Sequence, residues 1–135
     1  MRDIEISFDL SRIDFRATSD QLMQSYWAAS RTDEANRRAF DNSLCVGAYL
    51  DGEQVGFARV ITDHTVFAYL LDVIVWPERR GHGIGKQLVQ ALLDHPDMKT
   101  VSHWSLTTND AHSLYQKFGF RTEGRYMRLD RSPPG

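Results

Sequence analysis

From Leu44 to Leu50 and again from Gln54 to Ile61 the chain is a run of aliphatic, aromatic and small residues, and Asp51-Gly52 breaks it in two. That dipeptide suits the positive φ angles of a tight turn, so the pattern predicts a hairpin of paired strands. A second turn over Thr62 to Thr65 leads into VFAYLLDVIV, residues 66–75. Its near-continuous apolar character predicts a central strand covered on both faces, ending at Trp76-Pro77. Ile84, Leu88, Ala91 and Leu92 then recur at helical spacing until His95-Pro96, and Val101 to Thr107 predicts another strand. Ala111, Leu114, Tyr115 and Phe118 form the stripe of a last helix, with Asn109 or Asp110 as its cap and Gly119 as its stop. Phe120 to Leu129 is expected to close the fold as a strand or short hairpin. Ahead of all this, Thr18 and Gln21 make a capping-box pattern for a helix whose face carries Leu22, Met23, Tyr26 and Trp27. A second short helix is expected from Thr32 or Asp33 through Phe40. Helices first, then antiparallel strands, then alternating helix and strand imply an α/β (α+β) chain with a mixed sheet and helices on both sides.

A length of 135 residues with 41% hydrophobic content fits one core, so one domain is expected over residues 1–131, with the terminal SPPG, 132–135, as a flexible tail. A net charge of −2 argues against a nucleic-acid surface, which needs clustered Lys and Arg. The longest apolar stretch, Val66 to Trp76, is interrupted by Asp72 and is far shorter than the roughly 20 residues of a membrane helix, so no membrane partner is expected. The start MRDIEISFDL lacks the apolar core of a secretory signal, which points to the cytoplasm. Cys45 is the single cysteine and reads as a small core residue. The histidines show no metal-ligand spacing, so no metal is expected.

The candidate chemistry lies in Arg79-Arg80-Gly81-His82-Gly83-Ile84-Gly85-Lys86, between the end of an apolar strand and the start of a helix. The first turn of a helix offers unpartnered N–H groups and a positive dipole end, which together favour a diphosphate. Glycines at 81, 83 and 85 remove the Cβ atoms that would hold phosphates away, and Arg80 and Lys86 could neutralise the remaining charge. A flexible turn is the bland alternative, which three alternating glycines disfavour. Gln87 after Lys86 rules out the P-loop pattern, and the glycine spacing is not that of a dinucleotide fingerprint.

Arg80 to Gly85 match the pyrophosphate signature [RQ]-x-x-G-x-[GA], and with LLDVIVWPE before it and WSLTT and NDAHSLYQKFGF after it the chain resembles the GCN5-related N-acetyltransferase (GNAT) superfamily over about residues 44–122. The resemblance implies the GNAT fold, a mostly antiparallel twisted sheet of about six or seven strands flanked by about four helices on both faces. It implies acetyl-CoA as cosubstrate, held by the loop from Arg80 through Gly81, His82, Gly83, Ile84, Gly85 and Lys86 and paired along the backbone of Val73, Ile74 and Val75, with Asn109 as a further contact. It also implies Tyr115 as general acid toward the departing thiolate.

For the amine's proton, Asp72 is a candidate base beside the acetyl site, and a structural pair with Arg59 is the competing and preferred reading. A water chain is a third route. Tyr26, Trp27 and Arg31 lie on the family's acceptor side, where an aromatic and a cation could hold a small amine that also bears a carboxylate, and Arg59 is a further candidate there. The expected activity is transfer of acetyl to a primary amine of a small molecule or peptide in a ternary complex. A CoA-binding module without turnover is the alternative. Two short N-terminal helices leave room for a second subunit to complete the acceptor cleft.

Overall fold

The computed structural model of the protein describes residues 3–131. The elements run β1 (Glu5–Ser7), α1 (Phe15–Met23), α2 (Asp33–Asp41), β2 (Leu44–Leu50), β3 (Glu53–Thr62), β4 (Phe67–Val75), α3 (Ile84–Asp94), β5 (His103–Ser105) and α4 (His112–Gln116). The sheet has five strands in the order β1-β2-β3-β4-β5. The first four pair antiparallel, and β5 pairs parallel with β4, so the sheet is mixed as expected. It is smaller than the expected six or seven strands: Phe120 to Leu129 forms no strand, and β1, which no sequence pattern announces, adds an edge. The expected flexible tail, 132–135, lies outside the described residues.

The hairpin between β2 and β3 turns at Asp51 (φ 51°) and Gly52 (φ 82°), two left-handed residues in succession, as its sequence predicts. Helix α1 is capped by Asp14, whose carboxylate accepts from the Ala17 N–H at 3.0 Å, and Thr18 is instead an interior residue donating to the Asp14 carbonyl. The Thr18 capping box is therefore corrected: a carboxylate one turn earlier takes the Ala17 N–H. Helix α2 begins after its expected Thr32 cap. Helix α3 packs Leu88, Val89 and Leu92 against Val46, Ala58 and Val60 of the sheet. The intervening strand positions Cys45 and Phe57 meet Leu22 of α1 and Phe40 of α2 in a second cluster. That alternation is the period of two expected of a pleated strand.

Strand β4 breaks this period once. Phe57 pairs with Ile74 but Arg59 pairs with Leu71, so β4 carries one extra residue, and Asp72 sits there at φ 54°. The bulge inverts the facing of the residues after it. Ala68 and Leu70 belong to the α3 cluster, Ile74 to the α1–α2 cluster, and Val73 and Val75 now lie against α3. A residue with φ > 0 that is not glycine is uncommon, and aspartate is among the types that tolerate it.

Candidate active site

Strand β5 stays with β4 only from Phe67 to Tyr69, paired with His103 to Ser105. Past Tyr69 no strand among the described residues pairs with that edge of β4, and the chain after Ser105 veers away. A cleft of about 610 Å³ opens there, with Leu70 to Val73 on one wall and Leu106 to Ala111 on the other. A free strand edge presents unpaired N–H and C=O groups that an extended ligand can take up.

The bulge is held by its own side chain. The Asp72 carboxylate accepts from Trp27 Nε1 at 2.9 Å through one oxygen, and from Arg31 Nη1 at 2.8 Å and Arg59 Nε at 2.7 Å through the other. Its side chain has 0% exposure. Burial pushes the Asp72 carboxyl up, but the hydrogen bond from Arg31 and the charges of Arg59 and Arg31 more than offset this, and the group stays below the ordinary carboxylate range. A carboxylate with lowered proton affinity and both oxygens occupied is a poor acceptor of an amine's proton. The structure therefore realises the Arg59–Asp72 pair and extends it to Arg31 and Trp27. Arg59 is buried, also donates to Ser43 Oγ at 2.9 Å, and does not line the cleft, so its candidacy as an acceptor contact is corrected.

Tyr26 and Trp27 lie past the end of α1, in turns rather than on the helix as expected. The segment leaves the helix through Ser25, whose N–H donates to the Leu22 carbonyl and whose hydroxyl accepts from the Ala28 N–H. Both aromatics nevertheless line the cleft, as does Arg31. They stand edge to face, 5.1 Å between centroids, and the Tyr26 hydroxyl accepts from the Asn109 N–H at 3.4 Å. Asn109 lines the cleft but does not cap α4. No side chain caps this helix, which starts from Ala111; Thr108 Oγ1 accepts from the Ala111 N–H at 3.0 Å in the turn before it.

Tyr115 reaches the cleft from α4. Burial, then the charges of Asp110 and Tyr26, push its phenol up to about 12. It therefore stays a neutral O–H donor across the physiological range. Tyr69, Tyr126 and Asp110 also line the cleft, and sequence reasoning missed them as site residues. Only Tyr69 carries a usable signal, its place in the strand three residues before Asp72.

Farther along β4, Val73 still lines the cleft, Ile74 is buried in the core, and Val75 meets the glycine loop. Arg80 Nε donates to the Val75 carbonyl at 3.2 Å, which anchors the loop to the strand. Gly81 (φ 84°) and Gly83 (φ 78°) are left-handed, and a Cβ built on either meets nothing within 4 Å. Gly83 caps α3 with no side-chain hydrogen bond, and the first intrahelical bond runs from the Gln87 N–H to its carbonyl. The N–H groups of Ile84, Gly85 and Lys86 thus precede the helical ladder. Gly81, His82 and Lys86 are exposed there and Ile84 is buried beneath.

Comparison with known proteins identifies the family. The family model described as acetyltransferase (GNAT) domain matches residues 41–122. A crystal structure of a GNAT-family candidate acetyltransferase from Xanthomonas campestris pv. campestris is 41% identical, superposes with a TM-score of 0.86, and covers 94% of this chain and 95% of that one. A candidate acetyltransferase from Gibberella zeae is 31% identical over 71% of this chain and 66% of its own length. The chain spans about two thirds or less of the curated relatives it matches. A candidate acetyltransferase from Clostridium acetobutylicum, solved with acetyl-CoA, shares the fold, with a TM-score of 0.73 at 16% identity and coverage of 96% of each chain.

Proposed function

The chain belongs to the GNAT acetyltransferase family, and from that premise we propose that it transfers an acetyl group from acetyl-CoA to a primary amine by direct attack in a ternary complex. The observation that carries this reading is one continuous path. The unpaired edge of β4 beyond Tyr69 leads past Val73 and Val75 to the uncapped start of α3 across a glycine loop. Acetyl-CoA supplies an activated thioester.

The residues divide the work. Gly81 and Gly83 let the backbone close on a diphosphate, the N–H groups of Ile84, Gly85 and Lys86 point at it, and Lys86 adds a charge. The strand edge from Val73 to Val75 takes the extended arm. The bulge at Asp72 turns the backbone where the thioester carbonyl would lie, so that an N–H there can meet the developing oxyanion. Tyr115 donates a hydrogen bond to the sulfur as it leaves. Asp72 shapes this backbone instead of accepting the amine's proton, which passes to water. Purified protein with acetyl-CoA and a panel of amines should release free thiol only when an amine is present. Saturable acetyl-CoA binding with no thiol release from any amine would leave a CoA-binding module in place of an enzyme.

A further inference from the structure

The charged side chains lining the cleft are Arg31, Asp72, Asp110 and Arg128. Arg31 and Asp72 hold each other at 2.8 Å, and Arg128 donates to Asp130, also at 2.8 Å. Asp110 is exposed, and among the described residues its carboxylate has one long contact, 3.4 Å from the Tyr26 hydroxyl. Five aromatic residues, Tyr26, Trp27, Tyr69, Tyr115 and Tyr126, line the same cleft, the first two edge to face. An anion in an aromatic-lined cleft attracts a cation by its charge, and ring quadrupoles can add to that attraction. Arg31 and Arg128 are each engaged with a carboxylate, so Asp110 is the one charged side chain lining the cleft that has no ion-pair partner among the described residues.

A cation held on Asp110 is not the nitrogen that reacts, because the opposite charge favours the ammonium form and an ammonium has no lone pair. Resting on the acetyltransferase reading above, we infer that the acceptor is a diamine: one nitrogen stays as an ammonium on Asp110 among Tyr26, Trp27 and Tyr126, while the other, neutral, attacks. The attacking nitrogen bonds to the acyl carbon and the carbon–sulfur bond breaks. Its electron pair leaves with sulfur, which takes a proton through Tyr115, and the amine's own proton goes to solvent. Asp110 is thus a specificity residue that selects a second positive charge.

Three amines on one five-carbon skeleton test this: cadaverine ends in a distal ammonium, pentylamine in a methyl and δ-aminovalerate in a carboxylate. Acetyl-CoA binding is measured in parallel by calorimetry. The expected kcat/KM for cadaverine is about tenfold above pentylamine, the size of one partly exposed charge contact with added ring contributions, and δ-aminovalerate is the poorest. Asp110→Asn is expected to remove the diamine's advantage while acetyl-CoA affinity stays unchanged, and salt is expected to shrink the advantage in the wild type. Equal rates for cadaverine and pentylamine, a preference for δ-aminovalerate, or an advantage that survives Asp110→Asn overturns the inference. If acetyl-CoA itself does not bind, this inference and the acetyltransferase reading fall together; binding without diamine preference overturns this inference alone.

Discussion

A carboxylate with no exposed side-chain surface persists in a strand only when its charge is met, and the Asp72 carboxylate meets two guanidiniums and an indole N–H. Removing it leaves Arg59, 6% exposed, without its counter-ion. Asp72→Ala should therefore cost about 3–5 kcal/mol in urea unfolding. A loss under about 1 kcal/mol, the range of an exposed pair, would contradict the account. Because the folded-state carboxyl lies below its ordinary value of 3.8, its contribution is complete above that value and is lost as pH falls below it through the folded pKa. Tyr115→Phe keeps the ring against Phe120, 6.0 Å away between centroids, but removes the donor. It should lower kcat about a hundredfold with little change in KM for acetyl-CoA, and an unchanged kcat would take the phenol out of the reaction. Since the phenol is pushed up to about 12, its acid form is lost only as pH rises toward that value, and kcat should show no fall from this group below about pH 10. Burial likewise pushes the Cys45 thiol up to about 12, so Cys45 in the folded protein should resist thiol reagents at pH 8, and rapid labelling would contradict its buried placement.

At the scale of elements, the strand-to-helix loop carries the sharpest contrast. Gly83 is left-handed, with open space where a Cβ would stand, whereas a Cβ on Gly85 would rest 3.8 Å from Val75 Cγ2 in ordinary contact. Gly83→Glu should abolish acetyl-CoA binding by setting a like charge beside the diphosphate, and Gly85→Ala should keep both fold and binding; unchanged affinity in Gly83→Glu would refute the loop assignment. This loop was legible in the sequence because it depends on local chemistry alone, glycines at a strand end before an apolar helix. The Asp51-Gly52 hairpin was legible for the same reason. The bulge was not. Its cause is contact between Asp72 and residues 41 and 45 positions earlier in the chain, and no local pattern encodes a φ angle set that way. Tyr26 and Trp27 read as part of α1 because their spacing continues the apolar stripe, while Ser25 ends the helix through its own hydrogen bonds.

Over the whole molecule, the sequence period of two and of 3.6 predicted the central strands and three of the helices, and the mixed sheet followed from their order. Its size did not. β1 is three residues long, too short for a pattern, and Phe120 to Leu129 has strand-like composition but finds no strand partner. The cleft itself is a global feature: it exists because β5 ends at Ser105 while β4 continues to Val75. Among the described residues no helix is long and apolar enough to cross a membrane, and no group of three or more His, Cys, Asp and Glu side chains could hold a metal ion. The central claim is that this cleft and the start of α3 form one acetyl-CoA site. Isothermal titration of the wild type and Gly83→Glu with acetyl-CoA tests it most directly. The account predicts one-to-one binding at micromolar affinity or tighter by the wild type and none by the variant; no binding by the wild type, or equal binding by both, would contradict it.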